Sequence, residues 1–116
     1  MKIDKEVDRE RRRSELYQLL GDLPDRQRKV SVSRIDHKEN QSYLVERLLL
    51  DLNGIEAVPA YFVYPKDGKG PFPAVLYNHA HGGDYVLGKD ELLEGVKGLQ
   101  RPSYAEALTK IGYCVL

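Results

Sequence analysis

The stretch that decides the fold is Pro73-Ala74-Val75-Leu76-Tyr77-Asn78-His79, followed directly by Ala80-His81-Gly82-Gly83. Its first half is a short, continuously apolar run, which is typical of a strand buried on both faces at the centre of a parallel sheet. The run ends abruptly in polar residues and glycines, so we expect a sharp turn there. Because ligands bind outside the carboxyl ends of strands in open α/β sheets, the stretch predicts a central strand that leads into a ligand-binding loop.

The residues that follow predict a βαβ unit. A glycine-bearing loop extends from Gly82 to about Gln100, and its length favours a pocket-lining role over a plain linker. A helix is predicted over Ser103 to Ile111, with a capping box at its start, a stop at Gly112 and an apolar stripe of Tyr104, Leu108 and Ile111. Residues 113–116 then begin a second buried strand, which the strand–helix–strand order makes parallel to the first.

Two strand-like runs precede the central stretch, Tyr43 to Leu52 and Ile55 to Tyr64, on either side of Asn53-Gly54. An Asn-Gly pair between such runs predicts a hairpin with a type I′ turn, which needs positive φ at both central residues. Pro59 lacks a ladder donor and suits an edge position or a bulge. A weaker alternating pattern begins upstream, at Val30.

The first 29 residues form a segment of different character. Met1 to Gly21 has the pattern of a charged helix, in which opposite charges lie one turn apart in the pairs Glu6 and Arg9, Asp8 and Arg12, and Glu10 and Arg13. Apolar residues are sparse here, so most of the helix should face water. We therefore divide the chain into a charged helical extension, residues 1–29, and an incomplete α/β domain, residues 30–116.

Composition excludes several classes of protein. The 18 basic residues balance the 18 acidic ones, so there is no basic field for nucleic acid. No apolar stretch approaches the ~20 residues needed to cross a bilayer, and eleven charges among the first fifteen residues argue against a signal peptide. The single cysteine, Cys114, cannot form an internal disulfide and lies in an apolar run that predicts a buried structural thiol. We expect a cytoplasmic protein with no nucleic-acid or membrane partner.

The final strand stops after four residues, which would leave a charged carboxyl terminus inside the sheet. We therefore expect the chain to be the N-terminal portion of a larger protein. The alternative is a complete small α+β domain whose last strand is a short edge.

The segment from Pro73 to Gly83 resembles the oxyanion-hole strand and loop of α/β-hydrolases, most closely those of the dienelactone-hydrolase-like and acetyl-xylan-esterase-like branches. Residues 48–65 resemble the opening hairpin of that family, and residues 104–116 resemble its first helix and the strand that follows. The resemblance covers residues 43–116. It implies the N-terminal portion of an α/β-hydrolase fold, in which a charged helix and an antiparallel hairpin precede the βαβ unit.

The same resemblance implies a hydrolase that acts on a small ester or related acyl substrate and needs no cofactor. His79 matches the histidine of the family's His-Gly element, although Ala80 stands where glycine is usual. His81 falls where the family places a backbone N–H donor of the oxyanion hole, and Gly82 and Gly83 complete the loop. The triad would follow later in chain order, and this sequence has no Gly-x-Ser-x-Gly, so the chain alone should be inactive.

These residues also have other interpretations. His79 and His81 could be loop histidines whose rings bond to nearby backbone, or could ligate zinc, with His37 as the only other histidine. Asp84 and Asp90 could be substrate-pocket residues or solvated loop aspartates.

A non-enzymatic class stays open beside the hydrolase. It is a small α+β module whose charged helix docks a partner and whose loop from Gly82 to Gln100 forms the binding surface. Rossmann-type nucleotide binding lacks support, because no Gly-x-Gly-x-x-Gly follows the strand. The sequence does not determine the oligomeric state.

Overall fold

A computed structural model describes residues 5–116 of the chain. Helix α1 (Lys5–Leu19) is followed by strands β1 (Ser31–Glu39), β2 (Tyr43–Asp51), β3 (Ala57–Pro65) and β4 (Ala74–Val75). A 3₁₀ turn (Gly88–Asp90) leads into the short helix α2 (Glu91–Glu94), and helix α3 (Tyr104–Lys110) precedes strand β5 (Cys114–Val115). The predicted charged helix is thus present from Lys5 onward, and its first four residues lie outside the described part.

The strands of the described chain form one mixed sheet in the order β1-β2-β3-β5-β4. The first three strands pair antiparallel along their lengths, and β3 pairs antiparallel with β5 where Val63 faces Val115. Strands β4 and β5 are parallel, with Ala74 opposite Cys114, and α3 lies between them in sequence. The predicted βαβ unit is therefore confirmed, and the fold class is α/β with a mixed sheet.

The prediction of a central strand over residues 73–79 is wrong for the described chain. Strand β4 is short, pairs only with β5 and lies at the end of the sheet, and the Leu76 side chain beyond it is 73% exposed. Beyond Val75 the strand pairing continues only as a 2.8 Å bond from the Tyr77 N–H to the Leu116 carbonyl. An apolar run indicates burial but not strand order, and here β5 takes the position between β3 and β4.

The predicted hairpin is confirmed as β2 and β3, but its turn is not type I′. Five residues, 52–56, separate the strands, and Gly54 has a positive φ of 75° while Asn53 does not. The Asn53 side-chain oxygen accepts the N–H groups of Ile55 and Glu56, and the Asp51 carboxylate accepts the Gly54 N–H at 2.7 Å. In a two-residue turn these N–H groups would donate to backbone carbonyls. Here they donate to side-chain oxygens instead, and the loop between the strands is longer.

Helix α3 begins as predicted, with the Ser103 hydroxyl accepting the Glu106 N–H at 3.4 Å. Its predicted apolar stripe is partly wrong, because Ile111 is 67% exposed while Ala105 and Thr109 are buried. Val63 and Val115 are fully buried where β3 meets β5. Around them lies the core of the domain, which consists of Tyr43, Val45, Leu92 and Ala105.

Helix α1 buries none of its residues, and the three expected ion pairs form along its surface. In β3, Pro59 lies opposite Leu49 of β2, and its other side has no strand partner within residues 5–116, so its missing N–H costs no ladder bond. Cys114 is buried, as predicted. Within the same residues, no helix combines the length and apolarity that a membrane span requires.

Candidate functional site

The candidate segment from His79 to Gly83 follows the end of β4 after residues 76–78, at the carboxyl end of the parallel β4–β5 pair. Gly82 and Gly83 have positive φ values of 48° and 91°. A Cβ at either position would meet no atom within 4 Å, so backbone conformation, and not lack of space, requires glycine there. The two glycines form the turn directly after His81, which the bond from the Asp84 N–H to the His81 carbonyl closes.

The rings of both loop histidines bond to nearby backbone. His79 Nδ1 lies 3.0 Å from the Ala80 carbonyl oxygen, and His81 Nδ1 accepts the Gly83 N–H at 3.3 Å. The His81 ring also stacks on Tyr85, with ring centroids 4.9 Å apart. Both histidine side chains are exposed, so their rings stabilise the shape of the loop and do not form a buried catalytic pair.

The main-chain N–H groups of the loop divide into two sets. The Ala80 N–H donates to Glu91, the Gly83 N–H to the His81 ring, and the Asp84 N–H to the His81 carbonyl. The N–H groups of His79, His81 and Gly82 donate to no acceptor within residues 5–116, and the last two are consecutive. Two consecutive amide donors at the apex of the loop are therefore available to a ligand.

Glu91 is a buried acid beside this loop. Only 3% of it is exposed, at the start of α2. Its Oε1 accepts the Ala80 N–H at 3.2 Å and also the Tyr77 hydroxyl. Burial, followed by this hydrogen bond, raises the pKa of the Tyr77 hydroxyl above its ordinary value. The Tyr77 ring in turn packs against Tyr104 of α3, with centroids 5.3 Å apart.

A cleft of about 380 Å³ lies beside the end of β4. His79, Asn78 and Tyr77 line it from the β4 side, whereas His81, Gly82 and Gly83 do not line it. The remaining walls are mostly apolar and consist of Leu50, Leu52, Val58, Pro59, Ala60, Tyr61, Leu76, Lys89, Leu92 and Leu116. The predicted loop from Gly82 to Gln100 thus contributes two residues to a cleft, and it carries the short helix α2, which the sequence analysis did not predict.

The two loop aspartates have structural partners. Asp84 accepts the N–H groups of Val86 and Leu87 at 3.0 and 3.1 Å and so closes a turn. Asp90 accepts the Tyr61 hydroxyl at 2.6 Å, and burial together with this bond raises the pKa of Tyr61 to about 12. Neither aspartate lines the cleft.

The residues proposed for zinc do not come together. His37 lies on β1, which three strands separate from β4. Between Lys5 and Leu116 no three His, Cys, Asp or Glu side chains are grouped so that they could hold a metal ion.

Sequence reasoning missed Glu91 and Tyr77. Glu91 stands in the charged stretch Lys89-Asp90-Glu91, which has the composition of a solvated turn. Tyr77 lies within the apolar run Pro73 to His79, which predicts a strand and no further role. No local pattern links the two residues, because the contact forms only when the start of α2 folds back beside the segment that follows β4.

Fold and loop together define an α/β protein with a glycine loop at the carboxyl end of a parallel strand pair. The chain is 55% identical, over 108 residues, to a protein of Bacillus subtilis (strain 168) that is named "Putative hydrolase YtaP". The similarity covers 93% of this chain and 36% of that relative, so the chain spans about a third of the relative's length. No family model matches the chain, and no solved structure does.

Proposed function

We propose that this chain supplies the oxyanion-hole strand and loop of an α/β-hydrolase, of the dienelactone-hydrolase-like or acetyl-xylan-esterase-like kind, that acts on an ester or related acyl substrate. The observation that carries the proposal is the pair of unengaged N–H groups of His81 and Gly82, in the loop beyond the carboxyl end of β4. The 55% identity to a protein named as a hydrolase supports the same class.

The chemistry follows from how acyl transfer develops charge. When a nucleophile attacks the substrate carbonyl, negative charge forms on its oxygen, and fixed amide dipoles aimed at that oxygen stabilise the transition state. His81 donates one N–H, and the second donor comes from the residue after the nucleophile. Each such donor is worth about 3–4 kcal/mol.

The hydrogen bonds of the loop leave His81 available as the donor. The amides of Ala80, Gly83 and Asp84 are already engaged inside the protein, whereas the His81 N–H has no acceptor within residues 5–116. His79 bonds to the loop backbone, which fits a structural role in the loop. Gly82 and Gly83 provide the turn that keeps the His81 amide at the apex.

The test removes the main-chain N–H donor at position 81 from the complete polypeptide that contains this chain. His81→Pro removes the N–H, whereas the matched control His81→Ala keeps it and removes only the ring. With p-nitrophenyl acetate as substrate, we expect His81→Pro to lower kcat by about 10²–10³ and His81→Ala to lower it far less. An ester linkage in place of the amide at position 81 removes the same donor without proline's constraints and should reproduce the loss.

Unchanged kcat in both the proline and the ester-linked variants would contradict the proposal. The chain of 116 residues offers a second check, because it lacks the nucleophile elbow. Hydrolysis by this chain alone that a serine-directed inhibitor abolishes would also contradict it.

A further inference from the structure

One oxygen atom of Glu91 joins two points of the segment that follows β4. Oε1 accepts the Tyr77 hydroxyl from one side and the Ala80 N–H, at 3.2 Å, from the other. Tyr77 and Ala80 flank Asn78 and His79, the residues over which the strand becomes the loop. The contact therefore fixes the loop relative to the strand at its first turn.

Burial of the Glu91 carboxylate is unfavourable by itself, so its hydrogen bonds must offset the lost hydration. A buried acid is unfavourable unless its oxygens are hydrogen-bonded, and Glu91 makes no ion pair within the described chain. Within residues 5–116 the hydrogen-bond donors to the Glu91 side chain are the Tyr77 hydroxyl and the Ala80 N–H. The acid at this position therefore serves these two donors.

Two different side chains contact the N–H and the carbonyl of Ala80. Glu91 holds the N–H of Ala80, and the His79 ring lies 3.0 Å from the Ala80 carbonyl oxygen. In a trans peptide the carbonyl and the following N–H point in opposite directions. Holding the Ala80 carbonyl therefore sets the direction of the His81 N–H.

We propose that Glu91 is a positioning residue of the oxyanion loop: it anchors the Ala80 N–H and, together with the His79 ring at the Ala80 carbonyl, it fixes the direction in which the next peptide group presents the His81 N–H before substrate arrives. This inference rests on the proposed function, because it assigns Glu91 its effect through His81. Glu91 itself does not touch the substrate. Rigid preorganisation of a donor is what gives an oxyanion hole its effect, and small misplacements are costly.

The first test follows the anchor itself and needs no catalysis. In the complete polypeptide, Glu91→Leu should speed hydrogen exchange of the Ala80 amide about tenfold or more, because its acceptor is gone. Exchange of the Cys114 amide, which bonds to the Pro73 carbonyl at 2.9 Å, should stay unchanged and so report an intact β4–β5 pair. Glu94→Leu, the same substitution at an exposed position of α2, is the matched control and should change neither amide.

The second test follows catalysis with p-nitrophenyl acetate at a temperature where every variant is folded. Glu91→Leu should lower kcat by about ten- to a hundredfold with little change in KM. Glu91→Gln keeps an acceptor oxygen for both donors and should restore most of kcat, and Glu94→Leu should match the wild type. If Glu91 had only a structural role, Glu91→Leu would lower the melting temperature but would not lower kcat at unchanged KM, and Glu91→Gln would have no kcat to restore.

The outcomes separate the inference from the proposed function. If His81→Pro lowers kcat and Glu91→Leu does not, the positioning role is overturned while the oxyanion loop stands. If His81→Pro leaves kcat unchanged, the proposed function fails. In that case the exchange rate of the Ala80 amide still decides whether Glu91 anchors the loop, and an unchanged rate in Glu91→Leu overturns the anchor as well.

Discussion

The Tyr61 hydroxyl donates a 2.6 Å hydrogen bond to Asp90 Oδ1, which ties β3 to the 3₁₀ turn that leads into α2. Lys89 adds to the same contact, because its ammonium group lies 5.1 Å from the centre of the Tyr61 ring. The residue after Asp90 is Glu91, so the bond also holds the start of α2 against the sheet. The position of the Glu91 carboxylate beside the loop therefore depends on a contact made at β3.

The first prediction concerns this bond. Tyr61→Phe removes the hydroxyl and leaves the Asp90 acceptor without its donor, so the free energy of unfolding should fall by about 1–3 kcal/mol. Urea denaturation of the purified protein measures it. The matched control is Tyr85→Phe, because Tyr85 is 82% exposed and its hydroxyl has no hydrogen bond in the described chain. An equal loss in both variants would show that the Asp90 bond contributes nothing specific.

The second prediction concerns alkaline pH. The pKa of Tyr61 is raised from 10.0 to about 12, first by burial and then by the bond to Asp90. A raised pKa in the folded state gives stability that is fully present below pH 10 and is lost as pH rises toward 12. The stability difference between wild type and Tyr61→Phe should therefore be constant below pH 10 and should shrink above it. The pKa of Tyr77 is also raised, but Tyr77 is present in both proteins, so its contribution cancels in the stability difference. A constant difference throughout would contradict the shift.

The third prediction concerns the β2–β3 loop. Gly54→Ala places a Cβ at a residue with φ of 75° and within 2.7–2.8 Å of the Arg28 guanidinium. The guanidinium ends a flexible side chain that can move aside, so the positive φ supplies the main cost, and we expect the free energy of unfolding to fall by ~1 kcal/mol. Gly21→Ala is the control, since it has nearly the same φ of 77° but meets no atom within 4 Å and ends a helix that buries no residue. When unfolding is followed by the loss of strand signal, Gly21→Ala should have little effect, and an equal effect would argue against a specific role of the Gly54 conformation in holding the sheet.

Local patterns in the sequence predicted the elements whose stability is local. The β2–β3 hairpin follows from two apolar runs around Asn53-Gly54, and the start of α3 follows from Ser103 and Glu106. The turn type was wrong because the Asn53 and Asp51 side chains, and not the backbone alone, accept the turn amides. Whether a side chain or the backbone accepts a turn N–H depends on side-chain rotamers, which the Asn53-Gly54 pair does not specify.

Strand order and the buried acid could not be predicted from local patterns. The apolar run at residues 73–79 and the run at residues 113–116 look equally suited to the interior, and only tertiary pairing places β5 between β3 and β4. Glu91 looked solvated because its stretch is charged. Its burial follows from two donors, Tyr77 and Ala80, that lie eleven or more residues away in the chain.

The most direct test of the oxyanion loop is a crystal structure of the complete polypeptide with a carbonyl-derived inhibitor that traps the tetrahedral adduct. We predict that the adduct oxygen lies about 2.7–3.1 Å from the His81 main-chain nitrogen, the distance range of an oxyanion donor. We also predict that the Ala80 N–H still donates to Glu91 in that complex. An adduct oxygen bound by other groups, with the His81 N–H directed to solvent, would contradict the account.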